Sequence, residues 1–214
     1  MCIRDRFQAD LLVLGPHARR SLFDFGSTAR ALLSRAVIPV WNQTIPAAPI
    51  GTILVPVDFS ENSRRALEFA HTLAARLEAT LRVMHCYSPP TFAYSDGMGL
   101  PAPTDLIDHE RASAKDELAH WMTELDDDPV KAEPCFVEGD VIESIVDETR
   151  KADLVVLGTH GRTGLSRFLM GSVAYGALKQ SPKPVVVVPS PAQAWLLPES
   201  EPLGAVAPAS MLLA

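Results

Sequence analysis

A chain of 214 residues, 47% hydrophobic and 21% charged, has the composition of a folded globular protein and enough apolar material for one complete core. A formal net charge of −7 and a pI near 5.3 exclude a broad electrostatic grip on nucleic acid or an anionic membrane, so any anion site must be local. No apolar run approaches the ~20 residues that span a bilayer, and the opening MCIRDRFQAD lacks a secretory h-region, which together predict a cytoplasmic address.

The front of the chain is a partial internal repeat. ADLLVLGPHARRSLFDFGSTARALLSRAVIPVW, residues 9 to 41, parallels ADLVVLGTHGRTGLSRFLMGSVAYGALKQSPKPVV, residues 152 to 186. Gly15 matches Gly158, Gly26 and Ser27 match Gly171 and Ser172, and Pro39 matches Pro184. Residues 1–46 therefore read as the closing strand, helix and strand of a domain whose earlier part is absent. A βαβ piece of that size has too little core to stand alone and must either pack on the complete domain or stay loose.

From Thr52 onward, short β-rich runs alternate with helical ones. TILVPVD predicts a strand. Ala66, Leu67, Ala70, Leu73, Ala74 and Leu77 then recur at helical spacing behind Ser60, the expected N-cap. TLRVMHCY is the second strand, a Pro/Gly-rich loop covers 88–103, and a helix is expected over about 105–125. AEPCFVEG is the third strand, and Asp140 with Glu143 three residues on opens the next helix. DLVVLG, a helix over about 169–180 and PVVVV complete a domain spanning 50–190. Strict alternation implies an α/β fold: an open five-stranded parallel sheet with helices on both faces. Residues 191–214, rich in Pro and Ala without a sustained period, predict a disordered tail.

Cys86 and Cys135 lie in apolar strands without metal-ligand spacing and read as reduced core residues. His85 ends a strand and reads as a core or rim histidine, and His109 and His120 fall on a solvated helix and receive no function.

GTHGRTGLSRFLMGSVA, residues 158–174, places glycines where a buried strand ends and a helix begins. In a doubly wound sheet, ligands bind outside the carboxyl ends of the strands. Glycines there let backbone N–H groups approach a ligand, and the following helix adds its N-terminal field. With His160, Arg162 and Arg167 supplying donors, the combination suits a phosphate chain. The Walker lysine pattern and the Rossmann GxGxxG after the first strand are both absent, which disfavours a P-loop kinase or a dehydrogenase.

The pattern Gly158-x2-Gly161-x9-Gly171-Ser172, with VPVDFS, VMHCY and KPVVVVP in order around it, closely resembles the universal stress protein family over about residues 50 to 190. The resemblance implies a Rossmann-like sheet of order 3-2-1-4-5 and, in the nucleotide-binding branch, ATP between the first strand's end and the glycine loop. It implies that Asp58 faces the adenosine and Pro56 and Val57 line the base, with Leu81 and Val83 adding apolar wall. Gly158, Gly161, Gly171, Ser172 and Val173 would hold ribose and phosphates, with His160 and Arg162 as auxiliary contacts and Mg²⁺ arriving with the nucleotide. Aspartate is also a ready helix cap, which is the plainer role for Asp58. In the front repeat Ala18 replaces Gly161 and the spacer is shorter, so that segment is expected to have lost nucleotide binding.

The family pairs through its last strand, which implies tandem pairing of 37–41 against 184–188, or a homodimer through Val185, Val186, Val187 and Val188. Nucleic acid and membrane are not expected partners. The function implied is an ATP-binding regulatory or stress-response module with little or no turnover. The alternatives are an ATP hydrolase or adenylating enzyme, for which Asp58 and His160 are the candidate groups, and a nucleotide-free interaction module.

Overall fold

The computed structural model describes residues 9–15, 36–43, 45–89, 104–125, 129–159 and 170–190. In chain order these form β1 (Leu12–Leu14), β2 (Val40–Asn42), β3 (Thr52–Pro56), α1 (Glu61–Leu77), β4 (Thr80–Tyr87), α2 (Thr104–Thr123), β5 (Ala132–Glu138), α3 (Val141–Thr149), β6 (Leu154–Gly158), α4 (Ser172–Gln180) and β7 (Val185–Val188). The helix expected between β1 and β2, the loop expected up to residue 103, the tail expected over 191–214, and His160, Gly161, Arg162 and Arg167 lie outside the described residues.

Local chemistry sets the helix ends. Ser60 has extended backbone and its hydroxyl accepts the Ser63 N–H, so it is the N-cap of α1. The helix closes at Glu78, which turns left-handed at φ 53 and returns its N–H to the Ala74 carbonyl. Asp140 caps α3 by accepting from the N–H groups of both Ile142 and Glu143. Ser60→Ala is expected to cost about 1 kcal/mol, read as a lower urea midpoint at unchanged slope. The last helix starts later than its sequence predicts, at Ser172 rather than near 169. Gly171 is extended (φ −59, ψ 152) and donates its N–H to the Thr159 carbonyl at 2.7 Å, which keeps it out of the helical ladder.

The expected five-stranded parallel sheet is corrected to a mixed sheet of seven, in the order β1-β2-β7-β6-β3-β4-β5. The strands of residues 50–190 run side by side as β5-β4-β3-β6-β7, all parallel, and the front segment continues the sheet at β7. There β2 lies antiparallel to β7, pairing Val40 with Val187, Trp41 with Val186 and Asn42 with Val185. The physical reason is the edge: Val185–Val188 is buried throughout, and its unpaired N–H and C=O groups need a strand beside them. Leu12 faces Val40 in β1–β2 as Val155 faces Val185 in β6–β7, so the antiparallel seam is nearly two-fold about the Trp41–Val186 pair.

Two apolar layers enclose the sheet. On one face α1 and α2 pack Ala66, Phe69, Ala70, Leu118 and Trp121 over Ile53, Val55, Leu81, Val83, Leu154 and Val156. On the other, α3 and α4 pack Ile145, Ala174, Ala177 and Leu178 over Leu54, Met84, Val155, Leu157 and Val187. Strand order reverses between β3 and β6, because the connection from β3 runs outward to β4 while β6 starts the opposite run. The carboxyl ends of these two strands therefore part to leave a crevice.

Candidate functional site

The crevice is a cleft of about 290 Å³. Its floor and sides come from Pro56, Val57 and Asp58 at the end of β3, Leu157, Gly158 and Thr159 at the end of β6, and Gly171, Ser172, Val173 and Ala174 at the start of α4. Met84, His85 and Cys86 of β4 and Val141 and Ile145 of α3 form the opposite wall, with Ser63 below. Seven of the sequence-derived candidates thus meet in one place: Pro56, Val57, Asp58, Gly158, Gly171, Ser172 and Val173. His160, Gly161 and Arg162 are outside the described residues.

Leu81 and Val83 are placed elsewhere. Both are fully buried in the layer under α1 and α2, on the far side of the sheet from the cleft. Successive strand residues point to opposite faces, so Met84 joins the α3 and α4 layer and reaches the cleft, with Cys86 packed beside that layer. A parity count from Leu54, which shares the layer of Met84, assigns the even positions of β4 to this face. A strand buried on both sides carries no apolar/polar alternation that says which face holds the ligand.

The turn after β3 is tightly fastened. Asp58 Oδ1 accepts from the Ser60 hydroxyl at 2.5 Å and the Ser60 N–H at 3.1 Å, and the Asp58 N–H donates to Ser63 Oγ at 3.3 Å. Asp58 is thus one step back from the cap: it holds Ser60, and Ser60 caps α1. At the other end of the cleft, α4 begins without a side-chain cap at Gly171. The first N–H groups of a helix have no intrahelical acceptor, so Ser172, Val173 and Ala174 bring backbone donors and a partial positive charge to the lining. Between these ends the wall is apolar, and burial pushes the Cys86 thiol up, keeping it neutral. Asp58 is the one carboxylate of the lining among the described residues. There, no group of three or more His, Cys, Asp or Glu is placed to hold a metal ion, and no helix is long and apolar enough to cross a membrane.

Gly158 has a packing role as well. A Cβ added there would lie 2.9 Å from the Asn62 carbonyl oxygen, so the first turn of α1 sits directly against it.

A cleft with an apolar wall and an uncapped helix start can hold a ligand with an apolar or aromatic body at one end and an anionic group at the other. Comparisons with known proteins agree with this architecture. Residues 49–189 match the family described as the universal stress protein family. Universal stress protein Rv2005c of Mycobacterium tuberculosis is 30% identical over 187 residues, covering 84% of this chain and 62% of that protein. Universal stress protein MJ0531 of Methanocaldococcus jannaschii is 33% identical over 147 residues, covering 65% of this chain and 82% of the relative. Among solved structures, UspA from Lactobacillus plantarum superposes with a TM-score of 0.58 at 25% identity, over 66% of this chain and 99% of that one. PA1789 from Pseudomonas aeruginosa, at 22% identity, shares the fold with a TM-score of 0.68 over 88% of this chain and 66% of its own. The chain spans 62% of the length of the mycobacterial relative.

Proposed function

Because this chain belongs to the universal stress protein family, we propose that it binds ATP with Mg²⁺ in the cleft and acts as a nucleotide-dependent stress-response module with little or no turnover. One observation carries the reading: an apolar wall and the uncapped N-terminus of α4 face the same cleft at the β3/β6 reversal. The base packs against Val57, Met84 and Cys86. The backbone N–H groups of Ser172 and Val173 and the hydroxyl of Ser172 receive phosphate oxygens. Gly158 and Gly171 present bare backbone there, while His160, Gly161 and Arg162 enter the proposal from sequence alone. Mg²⁺, when bound, would neutralise phosphate charge, and Asp58 is the carboxylate of the described lining suited to hold it or its water.

Little turnover is the expectation because Asp58, the one carboxylate of the described lining, already holds Ser60, and His85, its one histidine, is tied to the Val57 carbonyl. In the same proposal residues 1–46 are the closing part of a first domain of the same kind, joined to the domain of 50–190 by the β2–β7 seam. A homodimer through Val185–Val188 is then disfavoured, because β2 already occupies that edge. The setting proposed is the cytoplasm.

The test is calorimetric titration of ATP and Mg²⁺ into the full chain, with released ADP followed over hours. Asp58→Ala and Gly161→Val are each expected to weaken binding at least about tenfold while leaving the fold intact. Wild-type affinity in both variants would remove the site. Steady ADP release would replace the regulatory reading with the hydrolase. Absence of binding to folded protein would leave an interaction module.

A further inference from the structure

His85 is buried at 8% exposure, toward the carboxyl end of β4, and lines the cleft. Its Nδ1 lies 2.9 Å from the carbonyl oxygen of Val57. A carbonyl only accepts, so Nδ1 carries the proton and the ring takes the Nδ1–H tautomer in its neutral form. Val57 is the first residue past the end of β3, and its N–H also donates to β4, to the Met84 carbonyl at 2.7 Å. The Val57 residue is therefore gripped on both sides by consecutive residues of the neighbouring strand.

The same imidazole stacks on Phe59, with ring centroids 4.2 Å apart and planes 22° from parallel. Phe59 has φ 62, a left-handed conformation that a bulky residue adopts only when its surroundings hold it there. The edge of Trp121 on α2 closes the other contact at 5.5 Å. Asp58 sits between the residue His85 hydrogen-bonds and the residue it stacks on. Its carboxylate direction follows from the path of that three-residue turn.

We infer that His85 is a positioning residue for the nucleotide cleft: one imidazole fixes the Val57 carbonyl by a hydrogen bond and Phe59 by stacking, and so sets where Asp58 and the base wall stand. The inference rests on the ATP reading above, yet its geometric half exists without ligand. Two variants of the full chain separate the functions of the ring. His85→Asn keeps an N–H donor near the Nδ1 position and loses most of the stack. His85→Phe keeps the stack and loses the donor.

His85→Phe is expected to weaken ATP and Mg²⁺ binding about tenfold, and His85→Asn to recover to within about threefold of wild type. Urea midpoints of both variants are measured alongside, because a merely structural histidine would lower affinity in proportion to lost stability in each. In ligand-free protein the wild-type ring nitrogens should report Nδ1–H by NMR; the amide signal of Asp58, next to the lost Val57 hydrogen bond, should move more in His85→Phe, and that of Phe59 more in His85→Asn. An Nε2–H tautomer, wild-type affinity in folded His85→Phe, or unmoved Asp58 and Phe59 amides would overturn the inference. If wild type itself binds no ATP, the nucleotide reading falls, and the ligand-free signals still decide whether His85 positions the turn.

Discussion

Gly158→Val is expected to destabilise the protein by about 2–4 kcal/mol, seen as a large fall in the urea midpoint at unchanged slope. The added Cβ would stand 2.9 Å from the Asn62 carbonyl oxygen and 3.2 Å from its carbonyl carbon, and valine carries two further methyls into the same space. Those neighbours are backbone atoms of the first turn of α1, so no rotamer change relieves the contact. The helix itself would have to lift from β6, and with it the buried contacts of Ala66 and Ala70 over Leu154. Gly176 makes the control. A Cβ there meets Ile142 Cδ1 at 2.7 Å and its Cγ1 and Cγ2 at 3.0 Å, so Ile142 must shift by a few tenths of an ångström, but the obstacle is one side chain rather than backbone, and alanine is favoured over glycine inside a helix by about 1 kcal/mol. Gly176→Ala should therefore fall within about 1 kcal/mol of wild type while Gly158→Ala loses more. Equal stabilities for the two alanine variants would refute the backbone-contact explanation. Gly158 is for the same reason a poor probe of ligand contact, since its loss damages fold and cleft together.

Glu148→Ala should cost about 2–3 kcal/mol at neutral pH, less than a fully enclosed ion pair because Arg82 keeps part of its surface in water. Glu148, 8% exposed on α3, accepts from Arg82 Nη2 at 2.8 Å and Nε at 3.1 Å, and from Lys151 at 2.7 Å. Burial alone would raise its pKa, but the hydrogen bonds from Lys151 and Arg82 outweigh it and hold the carboxyl below its usual value of 4.5. A carboxylate whose folded pKa is depressed stabilises the fold above its unfolded pKa and loses that contribution as pH falls through the folded one. The stability difference between wild type and Glu148→Ala should thus be full near pH 7 and shrink below roughly pH 4. Urea unfolding at both pH values measures it, and a difference that does not narrow in acid would rule out the ion pair as its source. Truncating Glu148 strands the Arg82 guanidinium against the buried Cys135 sulfur, 3.4 Å away. Replacing both charges, as Arg82→Met with Glu148→Leu, should recover most of the loss.

The parts of this protein legible from residues alone are those governed by neighbours in the chain. Ser60 and Asp140 announce their helices because a capping side chain bonds to N–H groups two or three residues on. The alternation of strands and helices from Thr52 to Val188 follows from hydrophobic period, and the front repeat is visible because its strand shares the same apolar run and closing glycine as β6. Most of the cleft was legible too, since Asp58, Gly158 and Gly171 sit at strand ends and a helix start that the period already locates. His85 was legible as a buried histidine, but its hold on the turn was not, because its partners Val57 and Phe59 lie in another strand's connection.

Tertiary structure alone decided which face of β4 meets the cleft. Leu81, Val83, Met84 and Cys86 are all apolar residues of one strand. Only the packing of α1 and α2 on one side and α3 and α4 on the other assigns the first two to the core and the last two to the wall. It likewise decided that seven strands form one sheet: the family resemblance implied a seam of 37–41 against 184–188, but β2 joins β7 across 145 positions of sequence through backbone hydrogen bonds that any side chain permits, so the residues themselves do not fix it. The physical division is one of range. Caps, turns and periods are written in contacts a few residues apart, whereas face, edge and approach distance depend on where distant segments come to rest.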